Sequence, residues 1–138
     1  MTRSRIRAAN TLFRGLLEFV GLVALSFGAW GLLAGAGRLR VVAAVGLPLL
    51  AAAAWATFRV AGDDWDTEAV GASGRGDPAV AVPGPVRLGL ELLLFGGAVA
   101  LLVLGGQVPA GVLLGGATVV HYAIDYERVR WLLGESPA

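Results

Sequence analysis

A carboxylate inside an apolar run long enough to cross a membrane leaves a chain few ways to fold. Residues 87–106 read Arg87-Leu88-Gly89-Leu90-Glu91-Leu92-Leu93-Leu94-Phe95 and continue to Gly106 without another charge. About 20 such residues in a helix span the roughly 30 Å hydrocarbon core of a bilayer. An ionisable group in that run must face other protein, because lipid offers it no partner. Arg87 lies one helical turn before Glu91 on the same face, where the two can form a charge-assisted pair. The same device stands earlier as Arg14-Gly15-Leu16-Leu17-Glu18, again at the head of a long apolar run. Superposing Arg14 on Arg87 matches Leu17 with Leu90 and Glu18 with Glu91. This Arg-x-x-Leu-Glu echo admits an internal duplication whose axis would run along the membrane normal.

Composition agrees with a membrane reading. Of 138 residues, 57% are hydrophobic, and the mean hydropathy is +0.73, above what a soluble domain of this length carries. With no cysteine, disulfides, zinc–thiolate sites and thiol redox chemistry are excluded. A net charge of +1 does not supply the concentrated basic face that nucleic acid requires.

Four apolar segments follow in order, at about residues 12–36, 41–60, 87–106 and 108–125. The first has a basic start like a signal peptide, but it exceeds the 7–15 residues typical of a signal core and is expected to stay as a helix. Short turns after the first and third segments make two helical hairpins. The expected fold is therefore an all-α membrane protein, one domain over residues 1–138 with four transmembrane helices and the lipid bilayer as its surroundings. Arg3, Arg5, Arg7, Arg14, Arg59, Arg75, Arg87, Arg128 and Arg130 fall on one side, against Arg38 and Arg40 on the other. The positive-inside rule places both termini and the long linker in the cytoplasm, and the expected location is the plasma membrane, as a multi-pass protein. Trp55, Tyr122, Tyr126 and Trp131 read as an interfacial belt.

Residues 61–85 are acidic and rich in Gly and Pro, and are expected to form a solvated cytoplasmic linker. Asp63-Asp64-Trp65-Asp66-Thr67-Glu68 lacks the glycine and terminal glutamate spacing of a calcium loop. Arg75-Gly76-Asp77 is too short a match to carry weight.

In this topology both glutamates lie near the cytoplasmic boundary, where the fourth helix ends with His121 and Asp125, also four apart. Arg14, Glu18, Arg87, Glu91, His121 and Asp125 thus form the candidate intramembrane polar site. A structural reading pairs each arginine with its own or the other hairpin's glutamate and lets His121 donate to Asp125 or a backbone carbonyl. A functional reading makes the same residues a cation, proton or substrate site. No metal is expected, because the Glu-x-x-His spacing of di-iron bundles is absent. Gly21, Gly28 and Gly35 recur every seven residues, and Gly31/Gly35 and Gly111/Gly115 are small-x-x-x-small pairs. Such pairs let helices approach closely within one chain or between two copies.

Asn10 followed by Leu16-Leu17-Glu18-Phe19, the Trp55-Ala56-Thr57-Phe58 end of the second helix and the stretch Arg87 to Phe95 resemble the YrdB-like small integral membrane proteins, a family of unknown function. The resemblance implies a four-helix membrane protein and brings no assigned activity or functional residue. Members tend to have a proline soon after the aromatic that ends the second helix. Here Phe58 leads into Arg59-Val60-Ala61-Gly62 and the connection is longer and more acidic.

No nucleophile–base pair, phosphate loop or metal signature is present, so an enzyme is not expected and no cofactor is implied. The expected role is a noncatalytic structural or interaction component, whose partner could be a second copy or another membrane protein. The alternative is a small proton-coupled transporter with membrane-embedded glutamates.

Overall fold

The computed structural model describes residues 3–63 and 78–134, with side chains from residue 9 onward. The described chain is helical apart from one minimal strand pair: α1 (Arg3–Leu32), α2 (Arg38–Thr57), β1 (Phe58–Arg59), β2 (Val80–Ala81), α3 (Gly84–Leu104), α4 (Val108–Ile124) and α5 (Tyr126–Leu132).

The helix ends differ from the apolar edges read in the sequence. α1 starts at Arg3 rather than near residue 12, because arginine and alanine favour helix whether or not the segment is apolar. It stops at Leu32, short of Ala36, in a glycine-rich turn where Gly37 takes a φ of 54°. Arg40 closes this turn by donating from Nε to the Trp30 carbonyl at 2.7 Å while stacking over the Trp30 ring, so a carbonyl left open at the helix end finds a donor. α2 takes Arg38 and Arg40 into its first turn and ends at Thr57, not Val60. There the backbone turns to pair in parallel with the far end of the long connection, Phe58 opposite Val80 and Arg59 opposite Ala81. Pro85 and Pro109 stand in the first turns of α3 and α4, where a missing N–H costs nothing.

Among the described residues three helices are long and apolar enough to cross a membrane, over Ala9–Leu32, Arg38–Thr57 and Gly84–Leu104. α4 has 17 residues, about 25 Å of helix, and counts as a fourth only when joined to α5, from which it is bent by 76°.

α1 packs on α2 and α3, and α3 packs on α4. The core therefore belongs to α1, α3 and α4, through Leu17, Ala24, Leu25, Leu94, Phe95, Ala98, Leu102 and Leu114. α2 rides on α1 and fully buries only Ala44. Its Val42, Val45, Leu49 and Leu50 stay exposed, as do Phe19, Phe27, Leu93, Leu113 and Val119 elsewhere. So much outward apolar surface fits a bilayer better than water.

Glycine sets the closest crossings. A Cβ on Gly28 would meet the Leu101–Leu102 backbone at 2.6–2.7 Å, and one on Gly31 would meet the Gly105 carbonyl at 2.3 Å. Gly111 similarly lies against Val99 and Val103. These crossings are within one chain. Gly35, half of the Gly31/Gly35 pattern, has nothing within 4 Å.

The linker expected over residues 61–85 is ordered at its base, through the β1–β2 pair and a buried contact of Asp63 described below. Asp64 to Glu68 and Arg75-Gly76-Asp77 lie outside the described residues.

Candidate functional site

The antiparallel order of the helices brings the start of α1, the end of α2, the start of α3 and the end of α4 to one end of the bundle. All six residues singled out in the sequence are there. Each arginine makes its i, i+4 pair: Arg14 Nε lies 3.1 Å from Glu18 Oε1, and Arg87 Nε lies 3.3 Å from Glu91 Oε1. A crossed contact also forms, Arg14 Nη2 to Glu91 Oε1 at 3.5 Å.

Glu91, only 2% exposed, is the centre of the cluster. Beyond Arg87 and Arg14, its Oε1 accepts from Arg128 Nη2 at 2.9 Å and its Oε2 from Arg128 Nη1 at 3.1 Å. The Tyr122 hydroxyl also donates to Oε2, at 3.1 Å. A carboxylate has about four lone-pair directions. Donors from α1, α3, α4 and α5 thus fill the acceptor capacity of this one side chain. Arg128 is bidentate on Glu91 and shares Nη2 with Asp63 Oδ2 at 2.9 Å, which ties the base of the long connection to α5.

Arg87 does a second task. Its Nη1 donates to the carbonyls of Phe58 at 2.6 Å and Trp55 at 3.1 Å, satisfying the end of α2. Its guanidinium lies 3.9 Å from the Trp55 ring centroid, and that ring meets Phe95 edge-on. Trp55 is therefore packed against the cluster, where the sequence suggested an interfacial aromatic.

His121 and Asp125 form a neighbouring group. His121 is 2% exposed, between the rings of Phe13 and Tyr122. Its Nε2 stands 3.8 Å from Asp125 Oδ2, outside hydrogen-bond range, so the expected donation to Asp125 is not made. Asn10 of α1 reaches Asp125 instead, donating from Nδ2 to Oδ1. His121 Nδ1 has no partner among the described residues.

Sequence reasoning missed Arg128, Tyr122, Asp63 and the contact of Asn10. Arg128 and Tyr122 read as parts of an interfacial exit, Asp63 as part of a solvated linker. Helical spacing gave no signal for Arg128, because the 76° bend between α4 and α5 separates it from the face that carries His121. For Asp63 no local pattern exists.

Chemically the cluster is a hub of guanidinium and carboxylate groups joining four helices and a loop. Among the described residues no three His, Asp, Glu or Cys side chains are placed to hold a metal ion.

The family described as "Protein of unknown function (DUF2568)" matches residues 12–119, which takes in both Arg-x-x-Leu-Glu motifs and stops short of Tyr122, Asp125 and Arg128. The chain is 31% identical over 131 residues to an uncharacterized protein, YrdB, of Bacillus subtilis (strain 168), covering 95% of this chain and 98% of the relative. No solved structure matches.

Proposed function

Because the chain belongs to the DUF2568 family, whose function is unknown, we propose its role from its geometry: a noncatalytic structural or interaction component of the plasma membrane. It crosses the bilayer four times with both termini in the cytoplasm, and the Glu91 network holds its helices in register. The observation that carries this reading is the engagement of both Glu91 oxygens by donors of the same chain. A proton or ion carrier needs an acid that can exchange its partner for water or cargo. Glu91 is instead closed by a bidentate guanidinium.

The orientation rests on arginine placement. Arg14, Arg87 and Arg128 are buried in the cluster, and so are weaker topological signals than arginines in the flanks. The remainder, Arg3, Arg5, Arg7, Arg59, Arg75 and Arg130 against Arg38 and Arg40, keeps the same sign. α4 and α5 act as one bent span, with Tyr126 and Trp131 of α5 at the interface. The exposed apolar side chains of α2 face lipid or another membrane protein. The tightest glycine contacts are used inside the chain, so a homodimer would use other surfaces.

The cysteine-free sequence allows a clean test. Single cysteines at Ala36, Gln107 and Leu133 are expected to divide: Ala36→Cys and Gln107→Cys react with an impermeant thiol reagent applied outside whole cells, and Leu133→Cys does not. Labelling of Leu133→Cys from outside would overturn the topology.

The second reading, a small proton-coupled transporter, has one observation in its favour: the Glu18 side chain keeps 24% exposure on the rim of the cluster. That reading requires loss of proton-linked flux in reconstituted Glu18→Gln with folding retained. Flux that survives the substitution would sink it.

A further inference from the structure

The bend after Asp125 turns α5 back so that Arg128 enters the end of the bundle, where it is 1% exposed. Two separate segments receive it and a third braces one of the receivers. Glu91 of α3 accepts from both terminal nitrogens, Asp63 after β1 accepts from Nη2, and the Tyr122 hydroxyl of α4 donates to Glu91 Oε2. A planar fork held on both oxygens of a carboxylate is how a site distinguishes a guanidinium from an ammonium. The grip is on the terminal nitrogens: Arg128 Nε is buried without a partner among the described residues. The held part of Arg128 is therefore the part any alkylguanidinium also possesses.

Charge points the same way. Withdrawing Arg128 takes one guanidinium from two carboxylates at once, Glu91, which is 2% exposed, and Asp63. Both then lose the partner they share, and the loss of a buried partner is costly until another cation takes its place. α5 is seated closely on the start of α3, since a Cβ on Gly84 would lie 2.0 Å from the Leu132 carbonyl. Arg128 is held by this fit as well as by its charge.

We propose that Glu91, Asp63 and Tyr122 form a binding site for a monosubstituted guanidinium cation, which α5 fills in cis with Arg128. α5 is in this sense a tethered occupant of the site, and a small alkylguanidinium binds when the arginine is absent.

The test uses the full-length protein in detergent micelles. Arg128→Ala removes Cγ, Cδ and the guanidinium, the atoms of ethylguanidinium, which is therefore the probe. Arg128→Ala is expected to lower Tm by about 10 °C. Ethylguanidinium should restore most of that loss saturably at about 10 mM or below. Ethylammonium, which lacks the fork, and ethylurea, which lacks the charge, should not. The unsubstituted chain, its site already filled, should not respond at these concentrations. Arg128→Ala combined with Glu91→Gln should lose the response. A rise that does not saturate, an equal rise with ethylammonium, persistence in the double variant, or no rise overturns the proposal. Should Arg128→Ala fail to fold, the readout becomes folded yield of Arg128→Ala and Arg128→Gly produced with and without ethylguanidinium. Recovery supports the site, and recovery of neither variant overturns it.

Discussion

Arg14…Glu18 and Arg87…Glu91 share one five-residue pattern and one local geometry, with Nε to Oε1 distances of 3.1 and 3.3 Å. Their surroundings differ sharply. The Glu18 side chain keeps 24% exposure, whereas Glu91 keeps 2% and collects Arg14, Arg128 and Tyr122 in addition to its own arginine. Sequence spacing makes a pair on one helix, but the neighbouring elements decide whether that pair is a surface contact or a hub. The start of α3 meets α5, the end of α2 and the start of α1, and so its glutamate becomes common property. The start of α1 lies at the margin of that group.

The widest separation between the two sites is expected on removing each acid's charge. Glu91→Gln leaves three buried guanidinium groups without their shared carboxylate and should cost about 3–5 kcal/mol. Glu18→Gln removes a partly exposed pair and should cost about 1 kcal/mol or less. Thermal unfolding of both variants in one detergent checks this, and equal losses would break the distinction.

Replacing the arginines gives a smaller contrast. Arg87→Lys keeps the charge but gives up the planar fork, the stacking on Trp55 and one or both carbonyl contacts at the end of α2. It should cost about 2 kcal/mol, against about 1 kcal/mol for Arg14→Lys. Protease cleavage in the connection between α2 and α3, timed by gel, should accelerate in Arg87→Lys and not in Arg14→Lys.

Tyr122→Phe isolates a single donor of the hub. It removes one hydroxyl from Glu91 Oε2 while the guanidinium contacts remain, so the expected loss is about 1 kcal/mol. A loss as large as that of Glu91→Gln would mean that the tyrosine, not Arg128, closes the site.

Between the two motifs one change should be nearly equivalent. Gly15 and Gly89 each lie inside an Arg-x-x-Leu-Glu pattern, and a Cβ on either would have nothing within 4 Å. Gly15→Ala and Gly89→Ala should each leave the unfolding free energy unchanged or raise it, by up to about 1 kcal/mol of helix propensity. Gly31→Ala is the control that must fall, because its Cβ would strike the Gly105 carbonyl.

Much of the helical layout was legible because apolar run length and turn residues are local signals. Residues 41–60, 87–106 and 108–125 each overlap a helix, and Arg14, Arg87, His121 and Asp125 stand at the end where alternating helix direction puts them. The ends were less legible. A polarity change at Leu12 marks where an apolar run begins, while the α1 backbone is continuous from Arg3 because helical hydrogen bonds do not depend on it. The hub was half legible. The i, i+4 pairs follow from spacing, but Arg128 reaches Glu91 across 37 positions and Asp63 reaches Arg128 across 65. Their flanks look like any charged segment beside an apolar helix. The bend after Asp125, which aims Arg128 inward, has no glycine or proline to announce it.

The hub depends on Glu91 and Arg128 working as one unit. The direct measurement is a double-mutant cycle on unfolding free energy with Glu91→Gln, Arg128→Gln and the two together. The double variant is expected to lose less than the two single losses added, by about 2 kcal/mol or more, because the second substitution removes a buried charge whose bidentate partner the first had already removed. Additivity to within about 0.5 kcal/mol would contradict that coupling.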